Sequence, residues 1–337
     1  MRTQAALVVS LLLTIGATAA SADRTPVDNA LRAKYLPPPT LTVPADAKEQ
    51  DKIALGKMLF FDPVLSGSSS HSCATCHDPA LAWGDGKPRA ISDNNSVMKL
   101  RAPTLVDIYQ LPRLGWDGKF RDIEAVTFAA ITSSGNMNLS EREALDRIAG
   151  IPGYVVAFNS VFAGGGISRS TVEQAIAAFE RTIVSGPAPF DRWIAGDNDA
   201  ISASAQRGFV LFNGKANCAA CHSGWAFTDG SFHDIGSATG GDIGRGALFP
   251  TSQKLRYAFK TPTLRDVAKR APYMHDGSVP DLQSVIVLYN NGGIDRPSRS
   301  ELIHPLYLSA QEQRDLLAFL NTLTETPHVV SLPVLPH

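Results

Sequence analysis

Apolar residues recur through much of the chain at helical spacing. Val172, Ile176, Phe179 and Ile183 follow Ser170-x-x-Glu173 on one face, and Leu316, Leu320 and Leu323 follow Ser309-x-x-Glu312. Ser140-x-x-Glu143 opens a third segment of this kind. A Ser three residues ahead of Glu can satisfy two free backbone N–H groups reciprocally, so each pair predicts a helix start. The stripes read as core. Between them, Ser66–Ser72 and Gly236–Gly246 are Gly/Ser-rich loops, and the Pro187/Pro189 segment with Ala195–Ala203 reads as a linker. The pattern is mainly α.

No apolar run of 18 residues occurs in the body of the chain. The first residues differ. Arg2 precedes an apolar stretch from Ala5 to Ile15, then small residues ending in Ala20-Ser21-Ala22. This predicts a signal peptide over 1–22, the stretch being short for a membrane anchor. Cleavage would leave 30 basic and 32 acidic residues, a nearly neutral chain outside the cytoplasm with no membrane attachment. Lacking a basic excess, it has no electrostatic footprint for nucleic acid. At 337 residues it is long enough for two domains.

All four cysteines lie in two motifs, Cys73-Ala74-Thr75-Cys76-His77 and Cys218-Ala219-Ala220-Cys221-His222. A dithiol redox motif makes no use of the following His, and a His abutting its Cys is unusual spacing for zinc. Covalent c-type haem uses all three residues: two thiols add to the vinyl groups and the imidazole reaches the iron. Two haems are expected, with disulfides or zinc as the alternatives.

The two motifs sit in matching contexts. Gly56-Lys57-Met58-Leu59-Phe60 precedes the first and Gly208-Phe209-Val210-Leu211-Phe212 the second. Arg101-Ala102-Pro103-Thr104-Leu105 matches Lys260-Thr261-Pro262-Thr263-Leu264, and Asp117-Gly118 matches Asp276-Gly277, at a constant offset of 159. A repeat of this length implies a duplicated domain rather than a solenoid. The expected fold is mainly α, two cytochrome-c-like haem domains over 23–195 and 196–337.

On these landmarks the chain resembles the bacterial di-haem cytochrome c peroxidase family, which includes MauG. Leu59-Phe60-Phe61-Asp62, both haem motifs, Trp116-Asp117-Gly118, Phe227-Thr228-Asp229, Phe232-His233-Asp234-Ile235-Gly236, Lys260-Thr261-Pro262-Thr263-Leu264-Arg265 and Pro272-Tyr273-Met274-His275-Asp276-Gly277 carry the resemblance. It implies a peroxide-binding N-terminal haem, a low-spin C-terminal electron-transfer haem, and Trp116 as the bridge between them.

Each iron would take its proximal imidazole from His77 or His222. The family places the sixth ligand of the second haem fourteen residues after the His of His-Asp-Gly: Met in most peroxidases, Tyr in MauG. Here that residue is Tyr289, with Met274 as rival. Phenolate is a hard anionic ligand that favours oxidised iron. The repeat sets Ala130, which has no donor atom, opposite Tyr289. The His that closes the first haem in resting peroxidases is replaced by Asp93, and no His lies between His77 and His222. Met98 and Met137 are the only soft donors there. An open first haem is expected.

Two positions depart from the resemblance on the distal side, where Gln and Glu are replaced by Val126 and Asn136. Asn136 can hydrogen-bond an oxygen ligand but cannot take a proton, and loss of an acid–base group costs about 10²–10⁴ in rate. Glu124 reads as a solvated helix residue. The resemblance also implies calcium between the haems, but Arg101 stands where an Asn ligand would; only carbonyls near Arg270 and Pro272 remain. A guanidinium repels Ca²⁺ and can replace its charge.

The function expected is reduction of hydrogen peroxide in the periplasm. Electrons would come from a small donor, a cytochrome c or copper protein, or from an oxidisable side chain of a protein substrate. Tyr289 and Ala130 favour the latter, MauG-like variant. Val126 and Asn136 favour the alternative, a non-enzymatic electron-transfer or ligand-sensing cytochrome.

Overall fold

The computed structural model describes residues 28–38, 46–325 and 330–337; the leader read at 1–22 lies outside them. Among the described residues the regular structure is almost all helical. The helices are α1 (Asn29–Tyr35), α2 (Ala47–Phe61), α3 (Cys73–Cys76), α4 (Glu124–Ile131), α5 (Glu141–Ala149), α6 (Pro152–Val161), α7 (Arg169–Glu180), α8 (Pro189–Ile194), α9 (Ala203–Asn213), α10 (Leu282–Asn290) and α11 (Ala310–Asn321). Phe232–His233 and Phe259–Lys260 form one short antiparallel pair, β1 and β2.

Two hydrophobic cores form, each around a crossed pair of helices. In the first, α2 crosses α7 at Gly56, where a Cβ would lie 1.8 Å from the Ala175 carbonyl oxygen. In the second, α9 crosses α11 at Gly208, where a Cβ would lie 2.0 Å from the Asp315 carbonyl oxygen. Only glycine permits either approach. Beside each crossing an aromatic pair meets at a steep angle, Phe60 with Phe179 at 5.2 Å and Phe212 with Phe319 at 5.0 Å between centroids. Such pairs add ~0.5–1.5 kcal/mol beyond their buried area.

The repeat extends to the backbone. Asp107 and Asp266 both adopt a left-handed conformation, with φ of 59° and 57°. Each donates its N–H to the turn after the crossing helix, Asp107 to the Ile183 carbonyl (2.9 Å) and Asp266 to that of Leu323 (3.0 Å). The segments therefore correspond residue by residue: Phe179 with Phe319, Ile183 with Leu323, and Glu180 with Leu320.

Several sequence expectations are refined. Ser309 and Glu312 close a box at α11 as read; Ser140 caps α5 but Glu143 accepts from Arg147 instead of closing the box; and α7 starts earlier, capped by Ser168 with Thr171 rather than by Ser170 with Glu173. Thr171 Oγ1 receives the Ser168 N–H at 2.9 Å, closing a box ahead of the Glu. Ile183 and Leu323 lie just past their helices yet remain buried. The expected linker at Pro187/Pro189 is a helix, because Pro189 takes the first-turn position where its missing N–H costs nothing. Phe190, Trp193 and Ile194 of α8 bury themselves in the second core.

The termini cross over. Tyr35 of α1 belongs to the second core, its hydroxyl donating to Asn213 Oδ1 at 2.7 Å. The last residues return to the first core: Val330 packs against it and His337 pairs with Asp62 at 3.0 Å. No helix among the described residues is long and apolar enough to cross a membrane.

Candidate functional site

Both Cys-x-x-Cys-His motifs sit on short turns in front of their helix crossings. α3 carries Cys73 and Cys76, and a 3₁₀ turn over Cys218–Ala220 begins the second motif. In each case the imidazole folds back onto the following loop. His77 Nδ1 donates to the Trp83 carbonyl at 3.1 Å, and His222 Nδ1 to the Phe227 carbonyl at 2.9 Å. Both carbonyls belong to left-handed residues, with φ of 60° and 53°. Those loops are pinned by equivalent hydroxyls: Thr104 Oγ1 donates to the Ala82 carbonyl and Thr263 Oγ1 to that of Ala226, each at 2.7 Å. Four hydrogen bonds thus orient two imidazoles in the same way.

Burial lowers the pKa of both histidines, keeping the rings neutral. With Nδ1 protonated and committed, Nε2 carries the lone pair, the arrangement expected of an iron ligand with a fixed tautomer. The four thiols are unpaired, which removes the disulfide reading. Among the described residues the one grouping of three candidate metal ligands is Cys221, Asp229 and His233; it includes neither Cys218 nor His222, so it does not support a zinc reading of the motif. Burial raises the Cys73 thiol and pushes that of Cys218 up to about 12, so both are neutral thiols in apolar surroundings.

A largely apolar cavity opens at the second motif. Cys218, Cys221, His222 and Tyr289 line it, together with Met274, Leu316 and Leu320. The Tyr289 hydroxyl has no hydrogen-bond partner among the described residues, and burial raises its pKa. Facing thiols, an imidazole and an unsatisfied phenol on apolar walls suit a covalently held haem.

Trp116 lines the same cavity from the N-terminal half. Its Nε1 donates to the Arg101 carbonyl at 3.0 Å, and its own carbonyl accepts the Lys260 N–H at 2.8 Å. The Arg101 N–H donates to the His275 carbonyl at 3.0 Å. Since Arg101 corresponds to Lys260 and Trp116 to His275, the halves meet through a reciprocal pair of backbone hydrogen bonds. Arg101 also corrects the calcium expectation. Its Nη2 donates to the Arg270 carbonyl at 3.0 Å, so a guanidinium engages the oxygen counted as available to the ion. The residues present do not fit calcium.

Cys73, Cys76, His77 and Asn136 are not among the residues that line that cavity, although Gly84, Pro103 and Thr104 beside the first motif are. Asn136 is half-buried in a turn after α4, where its carbonyl accepts the Asp93 N–H at 2.7 Å and its side chain makes no hydrogen bond among the described residues. Asp93 accepts from the Ser68 N–H at 2.9 Å, and Met137 is buried in the first core. Glu124 pairs with Arg181 at 2.7 Å, as a surface helix residue would.

Sequence reasoning missed Glu180. Its counterpart Leu320 lines the second cavity, while burial pushes the Glu180 carboxyl up to about 8 and its charge acts on the Cys73 thiol. Comparing the halves at the end of α7 and α11 would have exposed this replacement of Leu by Glu. It also missed Lys260 and Arg270, buried cations on the cavity wall; the match of Arg101 to Lys260 was the available signal.

Comparison with known proteins agrees with this architecture. The family model for di-haem cytochrome c peroxidase matches residues 50–199, and that for cytochrome c matches residues 205–324. The methylamine utilization protein MauG of Methylorubrum extorquens is 46% identical over 95% of this chain and 92% of its own length. The cytochrome c551 peroxidase of Pseudomonas aeruginosa is 29% identical over 97% and 94%. Among solved structures, a MauG-like protein associated with microbial copper homeostasis superposes with a TM-score of 0.78 at 29% identity, covering 87% of this chain and 94% of its own. Two oriented histidines, four free thiols and a duplicated helical frame thus accompany similarity along nearly the whole chain, which belongs to the di-haem cytochrome c peroxidase/MauG family of haem oxidoreductases and carries two covalently bound c-type haems.

Proposed function

We propose that this chain is a periplasmic enzyme that reduces hydrogen peroxide at its N-terminal haem while the C-terminal haem exchanges electrons with it. The observation that carries the reading is the asymmetry between α4 and α10. Tyr289 sits on the wall of a cavity shared with His222, whereas the corresponding Ala130 offers no donor. When bound, the haems supply the iron that receives peroxide and a second centre that holds oxidising equivalents.

In this reading the chain divides at 195/196, with α8 at the end of the first segment reaching into the second core. Cys73, Cys76, Cys218 and Cys221 would anchor the haems, His77 and His222 would each hold an iron, and Tyr289 would supply a further ligand to the second. A phenol that loses its proton to become a ligand is consistent with a hydroxyl on the cavity wall that has no hydrogen-bond partner among the described residues. Trp116, held at its indole N–H and at its carbonyl, keeps a fixed aromatic path between the halves. Asn136 contributes an amide that can hydrogen-bond an oxygen ligand. The electrons come from an oxidisable side chain of a protein substrate, as the Tyr289/Ala130 pair favours, or from a small periplasmic carrier.

Ferric EPR of the holoprotein should show one high-spin and one low-spin iron, and Tyr289→Phe should abolish the low-spin signal alone. Stoichiometric peroxide should change the Soret band within seconds. Two low-spin irons, or a spectrum indifferent to peroxide, would overturn the reading.

A further inference from the structure

Three buried cations converge on the cavity where the halves meet. Arg101, Lys260 and Arg270 are 7%, 7% and 9% exposed, and all three line it. Among the described residues none forms an ion pair. Arg101 spends Nη2 on the Arg270 carbonyl and Arg270 spends Nη2 on the Thr263 carbonyl, while Nε of both is buried without a partner. Lys260 Nζ reaches only the Arg113 carbonyl, at 3.4 Å. The nearest charges act at longer range: Asp85 on Arg101, Asp117 on Lys260, and Asp266 and Asp107 on Arg270. Buried charges are costly unless paired and hydrogen-bonded, so a cluster of like sign facing one cavity calls for an anion inside it.

We propose that Arg101, Lys260 and Arg270 form a carboxylate clamp for the propionates of the C-terminal haem. The chemistry is that of guanidinium and ammonium donors on carboxylates, in surroundings where such contacts are strong. The pseudo-symmetric placing of Arg101 and Lys260 sets one cation from each half on that cavity, so the clamp ties the haem edge to both. It also sets the charge at that iron: three cations against two propionates favour the ferrous form. The inference rests on this cavity holding the C-terminal haem, not on Tyr289 ligation or on peroxide chemistry.

EPR-monitored potentiometry of the holoprotein, with haem content counted by pyridine haemochrome, tests it. Lys260→Met should move the ferric/ferrous equilibrium of the C-terminal haem about tenfold toward ferric, a fall of about 59 mV for one electron. Lys260→Arg should stay within about twofold of wild type. Should Lys260→Met fail to mature with two haems, Arg101→Gln reads the same shift. A change below about twofold in the neutral variants overturns the clamp. So does a saturable fall in the wild-type potential on adding phosphate or chloride, since the cations would then be holding a free anion. A haem count of one in the wild-type protein would instead remove the underlying assignment of the cavity.

Discussion

The two glycine crossings make a matched pair of perturbations. In Gly208→Ala the new Cβ would meet the Asp315 carbonyl oxygen at 2.0 Å and Phe319 Cβ at 2.7 Å; in Gly56→Ala it would meet the Ala175 carbonyl oxygen at 1.8 Å. The obstacle is backbone, which no rotamer change relieves. Restoring ordinary contact near 3.4 Å requires the helices to part by roughly 1.4–1.6 Å. A gap of even 0.5–1 Å forfeits about a quarter to a half of each dispersion contact, here for Leu316, Phe319 and Leu320 against Phe209 and Phe212. Overpacking costs ~1–3 kcal/mol and lost contact adds to it, while Ala regains about 1 kcal/mol of helix propensity. The net expectation is a loss of about 3 kcal/mol in either half, or a fall in melting temperature of about 6–12 °C. Circular dichroism at 222 nm during thermal and urea unfolding of the holoprotein measures it. Gly135→Ala, whose Cβ would meet only Ser133 Oγ at 3.9 Å, serves as control and should stay within about 0.5 kcal/mol. Either crossing variant melting within about 2 °C of wild type would refute the claim that glycine is needed there.

Two further outcomes follow from the ion pairs. Arg265 is 1% exposed, its Nη1 is 2.8 Å from both Asp191 oxygens, and its Nε donates to the Trp225 carbonyl at 2.7 Å. Arg265→Met strands a carboxylate and should cost about 3–5 kcal/mol in urea titration, most of it recovered when Asp191→Leu is added; no recovery would locate the loss in packing instead. His233 donates Nε2 to Asp229 Oδ2 at 2.8 Å, which, with the thiol of Cys221 nearby, raises the imidazole pKa to about 10. A raised folded pKa gives stability that is complete below the ordinary His value near 6.5 and is lost as pH rises toward 10. Discounting the Cys221 contribution, which haem attachment removes, the unfolding free energy from urea titration should fall between pH 6.5 and 9 by on the order of 1–2 kcal/mol. His233→Asn should flatten that fall, and an equal fall in the variant would discard the pair as its cause.

The parts of the molecule legible in the sequence are those where chemistry demands a particular residue at a particular spacing. The haem motifs, the glycines before them and the 159-residue offset needed no coordinates. Local signals failed where two of them competed. Ser168–Thr171 outranked Ser170–Glu173, with Thr171 Oγ1 also tied to the preceding loop through the Gly166 carbonyl at 2.9 Å. Proline punctuation at 187 and 189 hid a helix whose Phe190 and Trp193 pack against Tyr35, Phe209 and Phe319, residues distant in the sequence. The crossing of the termini was equally invisible, since nothing in the local pattern of Tyr35 or Val330 names a distant core. The sequence marked Arg101 only as a replacement for a calcium ligand and gave no sign that Lys260 and Arg270 are buried beside it, for burial of a charge leaves no mark in composition.

The reciprocal backbone bonds between Arg101 and His275 and between Lys260 and Trp116 have the form of an isologous contact, in which one patch meets its own copy about a two-fold axis. A free homodimer built this way must keep both copies alike, because every substitution occurs twice. Joining the copies in one polypeptide lifts that restriction while leaving the geometry of the junction intact. Trp116 against His275, Ala130 against Tyr289 and Glu180 against Leu320 are the divergences so permitted, across a junction that neither half can change alone.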